Sequence, residues 1–352
     1  MEKSETYYPA FDYLRIVLAT TVALGHSGAA IWENAADLSV QVFFAMSGWL
    51  IGGILIRLKP EDISRFYFNR AARIWIPYFI AILLLISASL LKDRVTSKWL
   101  EFVFYDLTFS YNIFGPVQLA VYSSAMPLGG TGNHFWSICA EEQFYLLAPL
   151  LLVVIPRVGR AASFWIIISM IVMASPLSTN FGAICLGVLA AVARSRLGDW
   201  QSFPMAKIML ASLAGGAFLL IFFSLISYRI GAPLFSICLV LLLAQADTYS
   251  SVAAFVGGIS FPMYLNHWIG IFIAHAAFER YGLRDSMVSH ISGVIAALVI
   301  ASVLYLLVDR TVKRQRDKYF TPAYGNFVTG LAFVLVSIGL IGGLFLTGAI
   351  SL

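Results

Sequence analysis

Blocks of roughly 20 apolar residues recur from one end of this chain to the other, each long enough to cross ~30 Å of hydrocarbon as a helix. Nothing else in the sequence limits its fold as strongly. Eleven spans are predicted, near 11–31, 39–56, 74–91, 135–155, 162–179, 181–194, 206–226, 230–246, 252–275, 288–308 and 328–349. The expected fold class is therefore all-α, a polytopic membrane helix bundle forming one membrane domain over residues 1–352. Composition fits: 60% of residues are hydrophobic and 12% charged, with a mean hydropathy of +0.85, where a globular domain has ~25% charged residues.

Charge placement predicts the orientation. With the amino terminus in the cytoplasm, sixteen of the 23 Lys and Arg residues fall in inward segments and six in outward ones, while Arg15 lies inside a span. The bias favours amino terminus in and carboxyl terminus out. The net charge of +5 then belongs beside inner-leaflet phosphates, and no nucleic-acid partner is needed to explain it. Asp12 and Arg15 interrupt the first apolar run, so it does not read as a cleavable signal. Cys139, Cys185 and Cys238 lie in apolar segments without paired spacing, which suggests packing rather than a disulfide framework or a metal site. The longest non-spanning stretch, about 92–134, holds "KWLEFVFYDLTFSYNIF", an aromatic-rich segment expected to be interfacial or re-entrant.

The residues that stand out are the polar ones within apolar blocks. Arg15 and His26 have ten residues between them in the first span, which separates their Cα atoms by roughly 16 Å along a helix axis. Snorkelling of Arg15 and a packed, hydrogen-bonded His26 is the plain alternative to a functional role. Glu141 and Glu142 enter the fourth span side by side with no basic partner in that segment, so their desolvation must be offset from another helix. His26 is a candidate, because a carboxylate can fix the tautomer of an imidazole and stabilise its protonated form. Ser137 lies one turn before Glu141 on the same face. Tyr264 and His267 share a face of the ninth span and could add donors or acceptors, although Tyr264 also suits an aromatic belt. In the loop before the third span, Pro60, Glu61 and Asp62 suit a helix start, and Arg70 and Arg73 together make a phosphate-shaped feature or plain positive-inside anchoring. Ser47, Gly48, Gly52 and Gly53 are small residues suited to close helix approach.

Five of these segments, in order over residues 8–315, resemble motifs of acyltransferase family 3, the multi-pass membrane acyltransferases. Arg15 and His26 are similar to the family's basic residue, ten residues, His motif; "FFAMSGWLI" (43–51), "RAARIWIPY" (70–78), "WSICAEEQFY" (136–145) and "SFPMYLNH" (260–267) resemble four others. Asn69, Ile138, Phe261 and Asn266 depart from the pattern. The resemblance implies transfer of an acyl group, with acetyl from acetyl-CoA expected, to a hydroxyl of a glycan outside a bacterial cytoplasmic membrane. It implies His26 as general base and Glu141, the position matching the family Glu, as its partner, supported by Ser137, Glu142, Tyr264 and His267. Arg15, Arg70 and Arg73 would receive the acyl-CoA phosphates. Acyl-CoA is then a co-substrate rather than a bound cofactor, membrane lipids and the glycan are partners, and self-association is left open. Two other readings exist: a proton-coupled exporter of a glycan or lipid-linked intermediate using the His and Glu pair, and the same chemistry on a small molecule or lipo-oligosaccharide.

Overall fold

In the computed structural model, the described residues are 7–29, 32–116, 118–175 and 181–349. Among them there is no strand. The principal helices are α1 (Pro9–Ser27), α2 (Ala35–Leu55), α3 (Ile63–Leu90), α4 (Ser97–Leu107), α5 (Trp136–Pro149), α6 (Ala162–Ala174), α7 (Gly182–Leu197), α8 (Pro204–Phe222), α9 (Tyr228–Leu243), α10 (Ser251–Glu279), α11 (Met287–Leu304), α12 (Arg310–Tyr319) and α13 (Pro322–Leu346). Pro9, Pro204 and Pro322 open their helices, where a missing N–H is no loss.

Six helical runs are long and apolar enough to cross a membrane: Ala35–Leu55, Pro60–Leu90, Pro127–Val154, Pro204–Phe222, Met287–Tyr319 and Pro322–Leu346. The multi-pass character expected from the sequence is thus present. Of the other predicted spans, α6 and α9 are shorter apolar helices, and α7 has 16 residues. The end of the predicted 162–179 span runs into residues 176–180, which lie outside the described residues. Pro60–Asp62 forms a single 3-10 turn and α3 then runs unbroken from Ile63, so the basic loop is the first part of a long helix. The described residues of the 92–134 segment contain the amphipathic α4 and several single turns.

The chain divides into two compact units, one of residues 1–58 and 151–305, the other of 59–150 and 306–352. In the first, α1 packs against α2 and α10, α2 against α7 and α9, and α10 against α11. Close approach is bought with glycine. Gly48 of α2 faces the backbone of Ile184 and Gly187, and Gly52 faces Ala191 and Val188. Gly53 meets nothing, so its expected packing role is not realised. Gly48→Val is therefore expected to cost about 1–3 kcal/mol, the usual range for overpacking, whereas Gly53→Ala leaves the melting temperature near wild type in a detergent thermal-shift assay. On α10, Gly257 leaves room for Asp12 of α1, and Gly270 for Ala297 of α11.

In the second unit, α3 packs with α5, α12 and α13, and α13 also meets α4 and α5. Glycines on α13 again mark the approach: Gly339 lies against Thr108, Gly342 against Phe104 and Gly343 against Phe114. Tyr78 of α3 is fully buried, stacks on Phe109 at 5.0 Å and donates to the Asp106 carbonyl at 2.9 Å. Gln143 of α5 donates to the Phe109 carbonyl at 2.8 Å, which fixes α5 against the same loop.

Asp106, at the end of α4, lines a cavity of about 10 Å³ with Leu85, Phe102 and Tyr111, and its Oδ1 is buried without a hydrogen bond. Burial pushes its carboxyl well above the usual carboxylate range. The folded protein thus holds a proton here that the unfolded chain releases above about pH 4, and stability from this site falls as pH rises through that window. Asp106→Asn is expected to melt higher than wild type at pH 8, with the difference closing toward pH 4.

Candidate active site

The residues singled out from the sequence fall in both units, and each unit holds its own constellation. In the first, Arg15 Nη1 donates to Asp12 Oδ1 at 2.8 Å, and the Tyr7 hydroxyl donates to Asp12 Oδ2 at 2.8 Å. The guanidinium that looked isolated in an apolar run has its counter-charge one turn earlier, and Gly257 of α10 provides the space. In the sequence, Asp12 stands out only as an interruption of the span.

At the next-to-last position of α1, His26 meets His267 of α10, with Nδ1 of His26 and Nε2 of His267 at 2.8 Å. His267 Nδ1 lies 2.9 Å from the Tyr264 carbonyl oxygen. A carbonyl only accepts, so His267 carries its proton on Nδ1 and, as a neutral ring, presents a lone pair at Nε2. His26 must then donate through Nδ1–H, which leaves the lone pair of His26 on Nε2. Two hydrogen bonds thus fix which nitrogen of His26 can act as a base. His267 is almost wholly buried and Tyr264 packs edge-on to Phe43 of α2 at 6.2 Å, so the orienting ring is itself held.

The second unit holds the carboxylates and the basic pair. Glu142 is buried and accepts from the Trp75 indole at 2.9 Å. Glu141 is less buried, and its Oε2 accepts from the Tyr145 hydroxyl at 3.0 Å, one turn along α5. The Tyr145 ring in turn carries the guanidinium of Arg70 at 5.6 Å, and the Phe66 ring lies 5.7 Å from the same guanidinium. Arg70 also feels the like charges of Arg73 and Arg316 and the opposite charge of Glu141. The two adjacent glutamates are therefore distinct in kind. Glu142 is pinned to α3, whereas Glu141 belongs to a chain of phenol and guanidinium. Ser137 donates to the His134 carbonyl at 3.2 Å, one turn before it, and its hydroxyl is buried.

Several partners were not legible in the sequence. In the sequence, Trp75 and Tyr145 are only members of motifs, with nothing to mark a role. Arg316 was counted only as an inward charge, yet α12 packs on α3, with Arg65 and Asp317 at 3.6 Å and Phe68 and Phe320 at 5.5 Å. Its signal was faint: a basic, strongly amphipathic ten-residue segment next to a span.

A family model described as an acyltransferase domain matches residues 8–306. The chain is 30% identical over 161 residues to a Staphylococcus aureus (strain COL) protein named "Putative O-acetyltransferase SACOL0978", covering 43% of this chain and 26% of that protein. It is 29% identical over 167 residues to the Bacillus subtilis (strain 168) "Putative peptidoglycan O-acetyltransferase YrhL", covering 42% of this chain and 24% of the relative. It is 24% identical over 331 residues to the "Putative membrane-bound transacylase BcsY" of Komagataeibacter xylinus, covering 85% of this chain and 81% of that protein. The matched part spans about a quarter of the staphylococcal and Bacillus relatives. No solved structure matches the chain.

Proposed function

The chain belongs to the membrane acyltransferase family whose domain matches residues 8–306, acyltransferase family 3, and from that premise we propose that it moves an acetyl group from cytosolic acetyl-CoA to a hydroxyl of a glycan outside a bacterial cytoplasmic membrane. The observation that carries the base is the hydrogen-bonded order of Tyr264 carbonyl, His267 and His26, which leaves a lone pair on His26 Nε2. A sugar hydroxyl is a poor nucleophile near neutral pH and needs such a base. His26 takes the hydroxyl proton as the oxygen attacks the thioester carbonyl. The new ester C–O bond forms, the C–S bond breaks, and the CoA thiolate leaves and takes up a proton. His267 acts through His26 as a positioning residue, as the third member of a catalytic triad orients its imidazole.

Arg70, Arg73 and Arg15 are assigned to the phosphates of CoA, which call for planar, multidentate cations. The stacking of Arg70 on Phe66 and Tyr145 supports this, because it presets a guanidinium at low entropic cost. Glu141 is kept as a catalytic carboxylate, with Ser137 and Glu142 supporting it, and its bond to Tyr145 gives it the further task of holding the Arg70 stack. The acetyl and glycan assignments draw support from the relatives' names, which mention O-acetyltransfer and peptidoglycan.

The test uses sealed inside-out vesicles, with radiolabelled acetyl-CoA added outside and the producing bacterium's glycan within. Label recovered as ester on the enclosed glycan is the expected result. Label remaining wholly on CoA, or movement of glycan without label, would reject the reading.

A further inference from the structure

A second histidine pair lies in the first unit, apart from the pair described above. His275 is one turn before the end of α10, and His290 lies in the first turn of α11, with their rings edge to face at 5.6 Å. His290 is 9% exposed and the neighbouring Ser289 is fully buried. His275 Nε2, His290 Nδ1 and Ser289 Oγ are all buried with no hydrogen-bond partner. Each such atom carries a desolvation cost of about 1–3 kcal/mol, and the ring contact brings the two histidines together, with Ser289 next to His290 in the chain, so the group calls for a ligand that satisfies it.

The pair is also tied to the reacting end of α1. Gly28, two residues beyond His26, caps α1 with φ +91°, and a Cβ placed on it would come within 3.3 Å of His290 Cε1. The His290 ring therefore rests on the turn that ends the His26 helix. In the turn that joins α10 to α11, and so links the two helices that carry the pair, Tyr281 is 78% exposed, an aromatic face offered to solvent.

The chemistry of these groups selects the ligand. Neutral imidazole and serine hydroxyl each donate and accept, which matches a hydroxyl, itself both donor and acceptor. An anion would call for a guanidinium, and the nearby Arg284 is paired with Glu279 at 3.4 Å. A metal would call for further ligands, and among the described residues no third His, Cys or carboxylate atom joins these two at coordinating spacing.

We propose that His275, His290 and Ser289, with Tyr281 as a stacking face at the rim, form a subsite for the hydroxyl-rich acceptor, holding a sugar next to the one that reacts at His26. The assignment rests on the reading of the chain as a glycan acyltransferase, and it adds the residues that recognise the acceptor.

Kinetics of the full chain in nanodiscs test it, with acetyl-CoA as donor and delipidated oligosaccharides from the producer's own envelope as the acceptor probe. His275→Gln and His290→Gln are each expected to raise KM for the oligosaccharide about tenfold, the loss of one hydrogen bond to a buried group. The turnover number at saturation stays within about twofold of wild type by the same argument, since uniform binding is what is lost, and release of CoA to water alone is unchanged. Titration calorimetry without acetyl-CoA should show the same weakening of oligosaccharide binding. Tyr281→Ala, an exposed position whose change spares the fold, should also raise KM if His290→Gln fails to fold. Unchanged KM in the folded variants, or a fall in turnover with KM unchanged, would overturn the subsite while leaving the enzyme's function intact. Wild-type protein that acetylates none of the oligosaccharides would instead remove the glycan reading, and the subsite with it.

Discussion

His26→Ala is expected to lower acyl transfer by about 10³-fold or more, within the range for loss of a positioned general base, while the protein still reaches the membrane and binds acetyl-CoA. The more telling variants are at His267, which does no chemistry of its own in this account. His267→Gln can keep an acceptor oxygen opposite His26 Nδ1–H, and a loss of about tenfold is expected, one weakened hydrogen bond. His267→Lys places a donor there instead, so His26 must turn its lone pair toward the lysine and its N–H toward the acceptor. That is the wrong tautomer for a base, and a loss of about 10³-fold or more is expected, comparable to His26→Ala. KM for acetyl-CoA should move little in either variant. If glutamine and lysine at 267 were equally active, the tautomer argument would fail, whatever His26 does.

The second large effect is on the donor side. The Arg70 guanidinium lies over the rings of Phe66 and Tyr145, and the Tyr145 hydroxyl donates to Glu141. Arg70→Gln is expected to raise KM for acetyl-CoA about 10- to 100-fold, the value of a charge-assisted contact to phosphate, with turnover at saturation much less affected. Tyr145→Phe keeps the ring under the guanidinium and loses only the bond to Glu141, so its KM should rise less than that of Tyr145→Leu. A fluorescence or calorimetric titration with CoA reads both, and equal affinities in Arg70→Gln and wild type would detach Arg70 from the donor.

The helical, multi-pass fold was legible because apolar block length and backbone satisfaction in lipid leave little else. The helix start at Pro60, Glu61 and Asp62 was legible too: a 3-10 turn there leads into α3 from Ile63, and charged heads can leave the apolar region while their stems stay on the helix. Helical spacing puts Tyr264 one turn before His267, and it is the Tyr264 backbone carbonyl, not its side chain, that the His267 ring meets. Spacing could not bring His267 to His26, 241 residues away, or Trp75 to Glu142, 67 residues away, because such pairings follow from helix packing and not from any local pattern. Adjacent Glu141 and Glu142 looked alike for the same reason. A step of 100° around the helix turns one toward an indole and the other toward a tyrosine one turn on.

On the proposed function this chain adds an acyl group to a glycan and does not merely move one. Mass spectrometry of envelope glycans compares cells carrying wild-type chain, His26→Ala chain or no chain. An acetyl increment on the glycan is expected with wild type and is expected to be absent in the other two. Acetylation persisting with His26→Ala, or glycans of identical mass in all three strains, would contradict it.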